Sequence, residues 1–331
     1  MTKDSAQQQP VVWAVVLGYN HVEDTLECLA SLARTTYRPF EILYVDNGSE
    51  PDVPERVREQ APGCHVLRLE PNAGVAGGFN AGLAHALEQG ADYVVIFNND
   101  TTADPALVER LVAAAVADPG IGMAVPKIYY YDHPDTIWSA GSVFRRFPPV
   151  VYMRKTRSAD DGRFDQPQDL DYATFCVILF SRALLEQAGL MDPDYHFLYE
   201  DYDLCLRARE AGFRIRYAPD AHARHKISKT TGAGTNNPKF WRTYGRSEAI
   251  FTRKFRRYRW LTGWTHALYI VLRFLAEGNP YGWRPYLAGW RQGAREPLHP
   301  PPALGDPRVV RGRLQAAGPS PDSPTKRSPS A

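Results

Sequence analysis

The first hundred residues alternate short apolar runs with helix-like patterns, which restricts this part of the chain to βα units laid side by side on a parallel sheet. VVWAVVL closes at Gly18, FEILYVD closes at Asp46, CHVLRL forms a third run, and DYVVIFN leads into Asn98, Asn99 and Asp100. Asn20 is expected to cap a helix whose apolar face is Val22, Leu26, Leu29 and Ala33, with Glu23 as its reciprocal capping partner. ALAHALEQ falls in another helix behind a glycine-rich turn. The polar motifs therefore sit at strand carboxyl ends, where open α/β sheets bind their ligands.

After Pro105 a helix (ALVERLVAAAVA) and a strand (IGMAV) lead into a Tyr-, Pro- and Arg-rich section, Tyr129 to Gln168, that pattern leaves undetermined. DYATFCVILFSRALLEQAGLMD reads as a strand and a helix, and an acidic helix follows from about Glu200. In that helix Leu204, Ala208 and Ala211 share a face, Asp203 can pair with Arg207, and Gly212 can close the end. Glu200 and Asp201 fall at its mouth. The helix dipole there favours a carboxylate and lowers its pKa, so a base role needs compensating desolvation or substrate contact.

The chain is 44% hydrophobic and 23% charged with a net charge of +2, which permits a sizeable core and excludes nucleic-acid binding by bulk charge. Arg253, Lys254, Arg256, Arg257 and Arg259 cluster with Phe255 and Tyr258, a patch suited to an anionic surface. Residues 260–276 are apolar and aromatic but fall short of the ~20 residues needed to span a bilayer. They read either as an interfacial helix on the cytoplasmic membrane face or as a helix packed on the rest of the protein. MTKDSAQQQP lacks the features of a secretory signal, so a cytoplasmic location is expected. Cys28, Cys64, Cys176 and Cys205 form no C-x-x-C pair, which points away from zinc and redox chemistry. Sequons at Asn47 and Asn99 lie inside the motifs already described.

Taken in order, VVWAVVLGYN, YVDNGS, PNAGVAGGFNAGL, FNND and FLYEDYDLCLRAREAGFRIRYAPDAHARHK resemble the family-two inverting glycosyltransferases of the GT-A fold, especially their bacterial rhamnosyltransferase-like branch. The likeness covers residues 11 to about 230. It implies an α/β protein with a Rossmann-like, mostly parallel sheet flanked by helices, followed by a C-terminal helical extension. It further implies that Asp46 reads the nucleotide base with Tyr19 and Asn20 beside it, and that Asn72, Gly74 and Asn80 approach the nucleotide-sugar. A helix start near Val75 would support the diphosphate. FNND stands where relatives carry a D-x-D motif, so Asn99 and Asp100 belong to the donor site and Asp100 is the carboxylate ligand of Mg2+ or Mn2+. His225 is implied to complete the metal site, with His222 as the competing choice. The resemblance makes Asp201 the general base and Glu200 its acceptor-positioning neighbour.

The implied reaction moves a sugar from a nucleotide-sugar, dTDP-rhamnose or a UDP-sugar, to a hydroxyl of a cell-surface glycan or lipid-linked acceptor. The expected organisation is a disordered 1–10, a catalytic domain 11–235 divided at 104 into nucleotide and acceptor halves, an extension 236–296 and a disordered tail 297–331. Trp138 and Gly141 fall in the section where relatives contact sugars, and Trp241, Tyr244 and Arg246 could border the acceptor groove. Two other readings stand beside this one. A sugar-phosphate nucleotidyltransferase would need a basic glycine-rich loop near the first strand, and GYNHVEDT supplies no Lys or Arg. A membrane-associated scaffold would keep the fold without turnover.

Overall fold

The computed structural model describes residues 9–146, 149–155, 159–227, 237–256, 264–278 and 280–315. Its first half runs β1 (Val12–Gly18), α1 (Val22–Ala33), β2 (Phe40–Asp46), α2 (Asp52–Gln60), β3 (His65–Arg68), α3 (Gly74–Glu88) and β4 (Tyr93–Asn98). There follow β5 (Thr101–Ala103), α4 (Leu107–Val116), β6 (Ile121–Tyr130), β7 (Ile137–Ser139), and a separate hairpin of β8 (Ser142–Arg146) with β9 (Pro149–Met153). The remainder is β10 (Gln168–Leu170), β11 (Val177–Ser181), α5 (Arg182–Ala188), α6 (Glu200–Glu210), β12 (Arg214–His225), α7 (Pro238–Lys254), α8 (Trp264–Ala276), α9 (Pro280–Gly293) and β13 (Arg313–Gln315).

The main sheet has the order β10-β12-β6-β11-β4-β1-β2-β3-β13, with β5 on β12 and β7 on β6. β3, β2, β1 and β4 are mutually parallel, whereas β11 runs antiparallel to both β4 and β6. The apolar runs are continuous because both sheet faces are covered. Trp13 and Val15 of β1 enter one core cluster and Val12, Ala14 and Val16 the other, and β2 and β4 divide their residues the same way. Burial of a Val or Leu side chain contributes about 1.5–3 kcal/mol, so these central strands anchor the fold.

Three expectations change. Asn20 does not cap α1: His21 stands at the cap position in the left-handed region and offers no side-chain bond. Asn20 instead ties the ends of β1 and β2 together, its N–H donating to Ser49 Oγ at 2.8 Å and its Oδ1 accepting from Glu50 N at 3.0 Å. Glu23 is taken by Arg56. The run from Pro297, where composition suggests a disordered tail, lies along the protein as far as Gln315, beyond which the chain is outside the described residues. Its Pro302 carbonyl accepts from Leu190 N at 2.9 Å, Val309 is buried, and β13 pairs with β3, covering an edge that would otherwise expose unpaired backbone. The basic cluster is partly consumed internally. Lys254 pairs with Asp192 and Asp194, and Arg253 donates to the carbonyls of Gly293 and Glu296; Arg257, Tyr258 and Arg259 lie outside the described residues.

In the extension, a Cβ at Gly245 or Gly289 would overlap the carbonyl of Tyr286 or of Arg242, so α7 and α9 meet backbone to backbone. One face of α8 packs on this pair through Ala267, Ile270 and Phe274, and Glu248 inside the cluster accepts from His266 at 2.9 Å and from Tyr286 at 2.8 Å. Trp241 packs edge-on against Phe274 at 4.8 Å, and Arg246 is held by Glu296 and the Asp194 carbonyl, which makes both structural.

Candidate active site

A cleft of about 330 Å3 opens at the carboxyl ends of β1 and β4, bounded by the start of α3 on one side and of α6 on the other. Tyr19, Asn72, Gly74, Asn99, Asp100, Glu200 and Asp201, all expected from the sequence, line it. Asn47 and His196 line it as well and had not been singled out for this role.

The floor beside α3 is held by amide side chains. Asn47, buried at the end of β2, donates from Nδ2 to Gly74 O at 3.0 Å and accepts Ala73 N on Oδ1 at 2.9 Å. Asn72 Oδ1 accepts Gly74 N at 2.9 Å, and His196 O accepts Val75 N at 2.9 Å. Three amides at the start of α3 are thus already satisfied, so the helix mouth has less to offer a diphosphate than the sequence suggests. Gly74 sits at φ 73°, and a Cβ there would run into the imidazole and carbonyl of His196. Glycine is required twice over.

Three residues expected at the donor site, Asn20, Asp46 and Asn80, do not line the cleft, and Asn20 is engaged by Ser49 and Glu50. Asp46 is fully buried, its Oδ1 accepting Ser49 N at 3.2 Å and its Oδ2 accepting Arg68 Nη1 at 2.7 Å. It secures the turn that carries Asn47 and Ser49 and does not line the cavity. Asn80, also buried, clasps the backbone of Met191, accepting N–H at 2.9 Å and donating to the carbonyl at 2.7 Å. That clasp fixes the segment entering α6. Both side chains have partners within the protein, Asp46 in Ser49 N and the Arg68 guanidinium and Asn80 in the Met191 backbone.

At the end of β4, Asn99 Nδ2 donates to Thr25 Oγ1 at 2.9 Å, leaving Asp100 at the rim of the turn. His225, at the last position of β12, brings Nε2 to 3.1 Å from Asp100 Oδ1 and meets the edge of Trp138 at 4.6 Å. The His225 Nδ1 is buried without a partner among the described residues. His222 lies elsewhere, with Nε2 3.0 Å from Pro219 O and Nδ1 facing Asp104 at 3.6 Å, so of the two histidines only His225 stands beside Asp100. Among the described residues no group of three or more His, Cys, Asp or Glu forms a ready metal cage.

The acidic pair opens α6 after a strained approach. His196, Leu198 and Tyr199 have φ of 56°, 67° and 74°, left-handed values that non-glycine residues rarely adopt. Glu200 is buried, its Oε2 has no partner among the described residues, and burial together with the neighbouring Asp201 charge pushes its pKa up. Asp201 Oδ2 accepts from the Tyr172 hydroxyl and Oδ1 accepts Tyr202 N at 2.8 Å. Burial also raises Asp201, outweighing those bonds. Desolvation therefore overcomes the helix dipole, the condition a base at this position requires. Tyr172 is itself fixed by stacking on Tyr202 at 4.1 Å, and Asp203 is paired with Arg207 as the spacing suggests.

The model of the Glycosyl transferase family 2 matches residues 13–189, which span every element of this cleft up to the approach to α6. The chain belongs to that family. It is 26% identical over 226 residues to the N-acetylglucosaminyl-diphospho-decaprenol L-rhamnosyltransferase of Mycobacterium tuberculosis, covering 62% of this chain and 72% of the relative. It is 31% identical over 219 residues to the galactofuranosyltransferase GlfT1 of the same organism, covering 65% of this chain and 69% of the relative. The fold is GT-A. A GalNAc-T7 structure with UDP, GalNAc and Mn2+ superposes with a TM-score of 0.59 at 15% identity over 90% of this chain, which spans 56% of that longer one. The mannosyltransferase PcManGT from Pyrobaculum calidifontis, in complex with GDP-Man and Mn2+, gives 0.52 at 18% identity, covering 89% of this chain and 78% of that one. In this family-two glycosyltransferase of rhamnosyltransferase-like kind, Asp100 lies within the matched residues and Glu200 and Asp201 lie just beyond them.

Proposed function

We propose that this glycosyltransferase moves a sugar from a nucleotide-sugar, dTDP-rhamnose or a UDP-sugar, to a hydroxyl of a cell-surface glycan or lipid-linked acceptor, by a single displacement that inverts the anomeric centre. The observation that carries the reading is one cleft with Asp100 on one wall and the desolvated Asp201 on the other. In the step, the acceptor oxygen forms a bond to the anomeric carbon as the bond to the donor phosphate oxygen breaks. Asp201 takes the acceptor proton and the nucleoside diphosphate leaves with the electron pair. Tyr172 and Tyr202 N–H hold the Asp201 carboxylate in place, and Glu200, buried and short of a partner, orients the acceptor hydroxyl.

A divalent cation fits the other wall. Asp100 and the His225 imidazole, whose Nε2 faces Asp100 Oδ1, give one carboxylate and one nitrogen, a donor set suited to Mn2+ or Mg2+ when diphosphate oxygens and water complete the shell. When bound, the cation neutralises charge on the diphosphate. The diphospho-decaprenol rhamnosyltransferase and galactofuranosyltransferase relatives, and the structural neighbours that hold Mn2+, support this choice of donor class, acceptor class and metal. A panel of nucleotide-sugars with Mn2+ tests it: turnover of one donor is expected, and donor binding without transfer to any acceptor would favour the scaffold reading.

Peripheral attachment to an anionic membrane is proposed for α8. Leu268, Tyr269, Leu272 and Leu275 on its free side are each more than half exposed, although the opposite side is packed. Residues 237–296 carry twelve Lys and Arg against three Glu, of which Arg246, Arg253, Lys254 and Arg273 are held by internal partners. An apolar stripe within so basic a region matches an anionic bilayer surface. Among the described residues no helix is long and apolar enough to cross a membrane. The double variant Leu268→Glu, Leu272→Glu should reduce co-sedimentation with phosphatidylglycerol vesicles about tenfold while leaving Tm nearly unchanged. Equal pelleting of variant and wild type would remove the membrane proposal.

A further inference from the structure

The cleft that takes the donor diphosphate has an unbalanced wall. Among the described residues it is lined by the three carboxylates Asp100, Glu200 and Asp201 and by no Lys or Arg. A diphosphate brings further negative charge into that space, and one divalent cation on the Asp100 side cannot offset all of it. Backbone donors are scarce too, because the amides of Ala73, Gly74 and Val75 are committed to Asn47, Asn72 and His196.

Among the described residues one side chain on this wall, His196, can supply what is missing. The His196 ring lies over Gly74 at the start of α3, so close that a Cβ on Gly74 would stand 2.6 Å from its Cε1. The ring is exposed in the cleft. Its backbone is pinned as well, with N donating to Pro193 O at 3.1 Å, O accepting Val75 N, and φ held at 56°. Backbone strain maintained by surrounding bonds is a feature of sites that pre-position a group for a ligand. An imidazole donates an N–H whether neutral or protonated, and protonated it adds a positive charge beside the helix start.

We infer that His196 is a donor-binding residue that contacts the leaving diphosphate from the α3 side, while Asp100 and His225 are the residues that would hold a cation. The inference rests on the glycosyltransferase reading of this cleft and deepens it. It assigns the diphosphate two clamps, a cation and an imidazole, and it makes Gly74 the residue that leaves room for the second. As the phosphate oxygen gains charge on departure, the N–H strengthens its bond to it without any transfer of covalent partners.

The test uses the full-length protein and inorganic pyrophosphate with Mn2+ as the probe, measured by calorimetry. His196→Gln should weaken pyrophosphate binding about tenfold, and His196→Arg should restore it to within about threefold, a charge-specific rescue that a purely structural role would not give. Tm should be the same for the three proteins. Asp100→Asn serves as the second arm. If it abolishes Mn2+-dependent binding while His196→Gln and His196→Arg both match wild type, the His196 assignment is overturned and the donor-site reading stands. If wild type shows no Mn2+-dependent binding of pyrophosphate, both are overturned together.

Discussion

Asp201→Asn is expected to lower transfer by about 10²–10⁴-fold, the range for loss of a positioned base, while donor binding stays within a few-fold of wild type. Asparagine keeps the shape of the side chain and its contact with Tyr202 N but cannot accept the acceptor proton. The pH dependence follows from the direction of the shift. Burial raises Asp201, so transfer should increase with pH along a limb lying above the ordinary carboxylate range, and Asp201→Asn should abolish that limb. Stability runs the other way. A carboxyl whose folded pKa is raised contributes its stabilisation fully below the unfolded value and loses it as pH rises through the folded value. Both Glu200 and Asp201 are of this kind, so the cost of holding them charged grows from mildly acidic to neutral pH. Asp201→Asn should therefore raise Tm at pH 8 relative to wild type and change it little at pH 4. Full activity in the variant, or a Tm that falls at pH 8, would contradict this account.

Asp100→Asn is expected to remove Mn2+-dependent donor binding almost entirely, a loss of about 10²-fold or more, because it withdraws the carboxylate of the proposed ligand pair Asp100 and His225. The fold should survive, since Asp100 sits at a turn and its carbonyl still accepts Lys226 N at 3.0 Å. His225→Ala should weaken the metal less severely, leaving the carboxylate and the diphosphate oxygens in place. Calorimetric titration of a nucleoside diphosphate with and without Mn2+ reads both effects. Unchanged metal dependence in Asp100→Asn would mean that the cation, if used, is held elsewhere.

Much of the fold is legible in the sequence because it is local. β1, β2 and β4 announce themselves as apolar runs that end where both cores end, and Gly212, at φ 90° after α6, closes its helix where the spacing suggests. The cleft walls were readable too, through FNND and the acidic pair. What escaped depends on partners far along the chain. Asn80 looks like a ligand residue beside its glycines, yet it clasps Met191, 111 positions away. Asp46 is a turn-forming aspartate by its neighbours, and only Arg68, arriving on the adjacent strand, shows why it is buried. The segment after Pro297 has the composition of a tail, but an open strand edge at β3 gives β13 somewhere to pair. Nothing next to His196 marks it, since its place over Gly74 is set by the clasp between Asn80 and Met191 and by the bond from Val75.

A crystal structure with Mn2+ and a nucleoside diphosphate gives the central claim its most direct trial. The metal is expected between Asp100, His225 and the diphosphate, with Asp201 facing the space the anomeric carbon would fill. A nucleotide bound outside this cleft, or a metal coordinated by other side chains with Asp100 uninvolved, would contradict it.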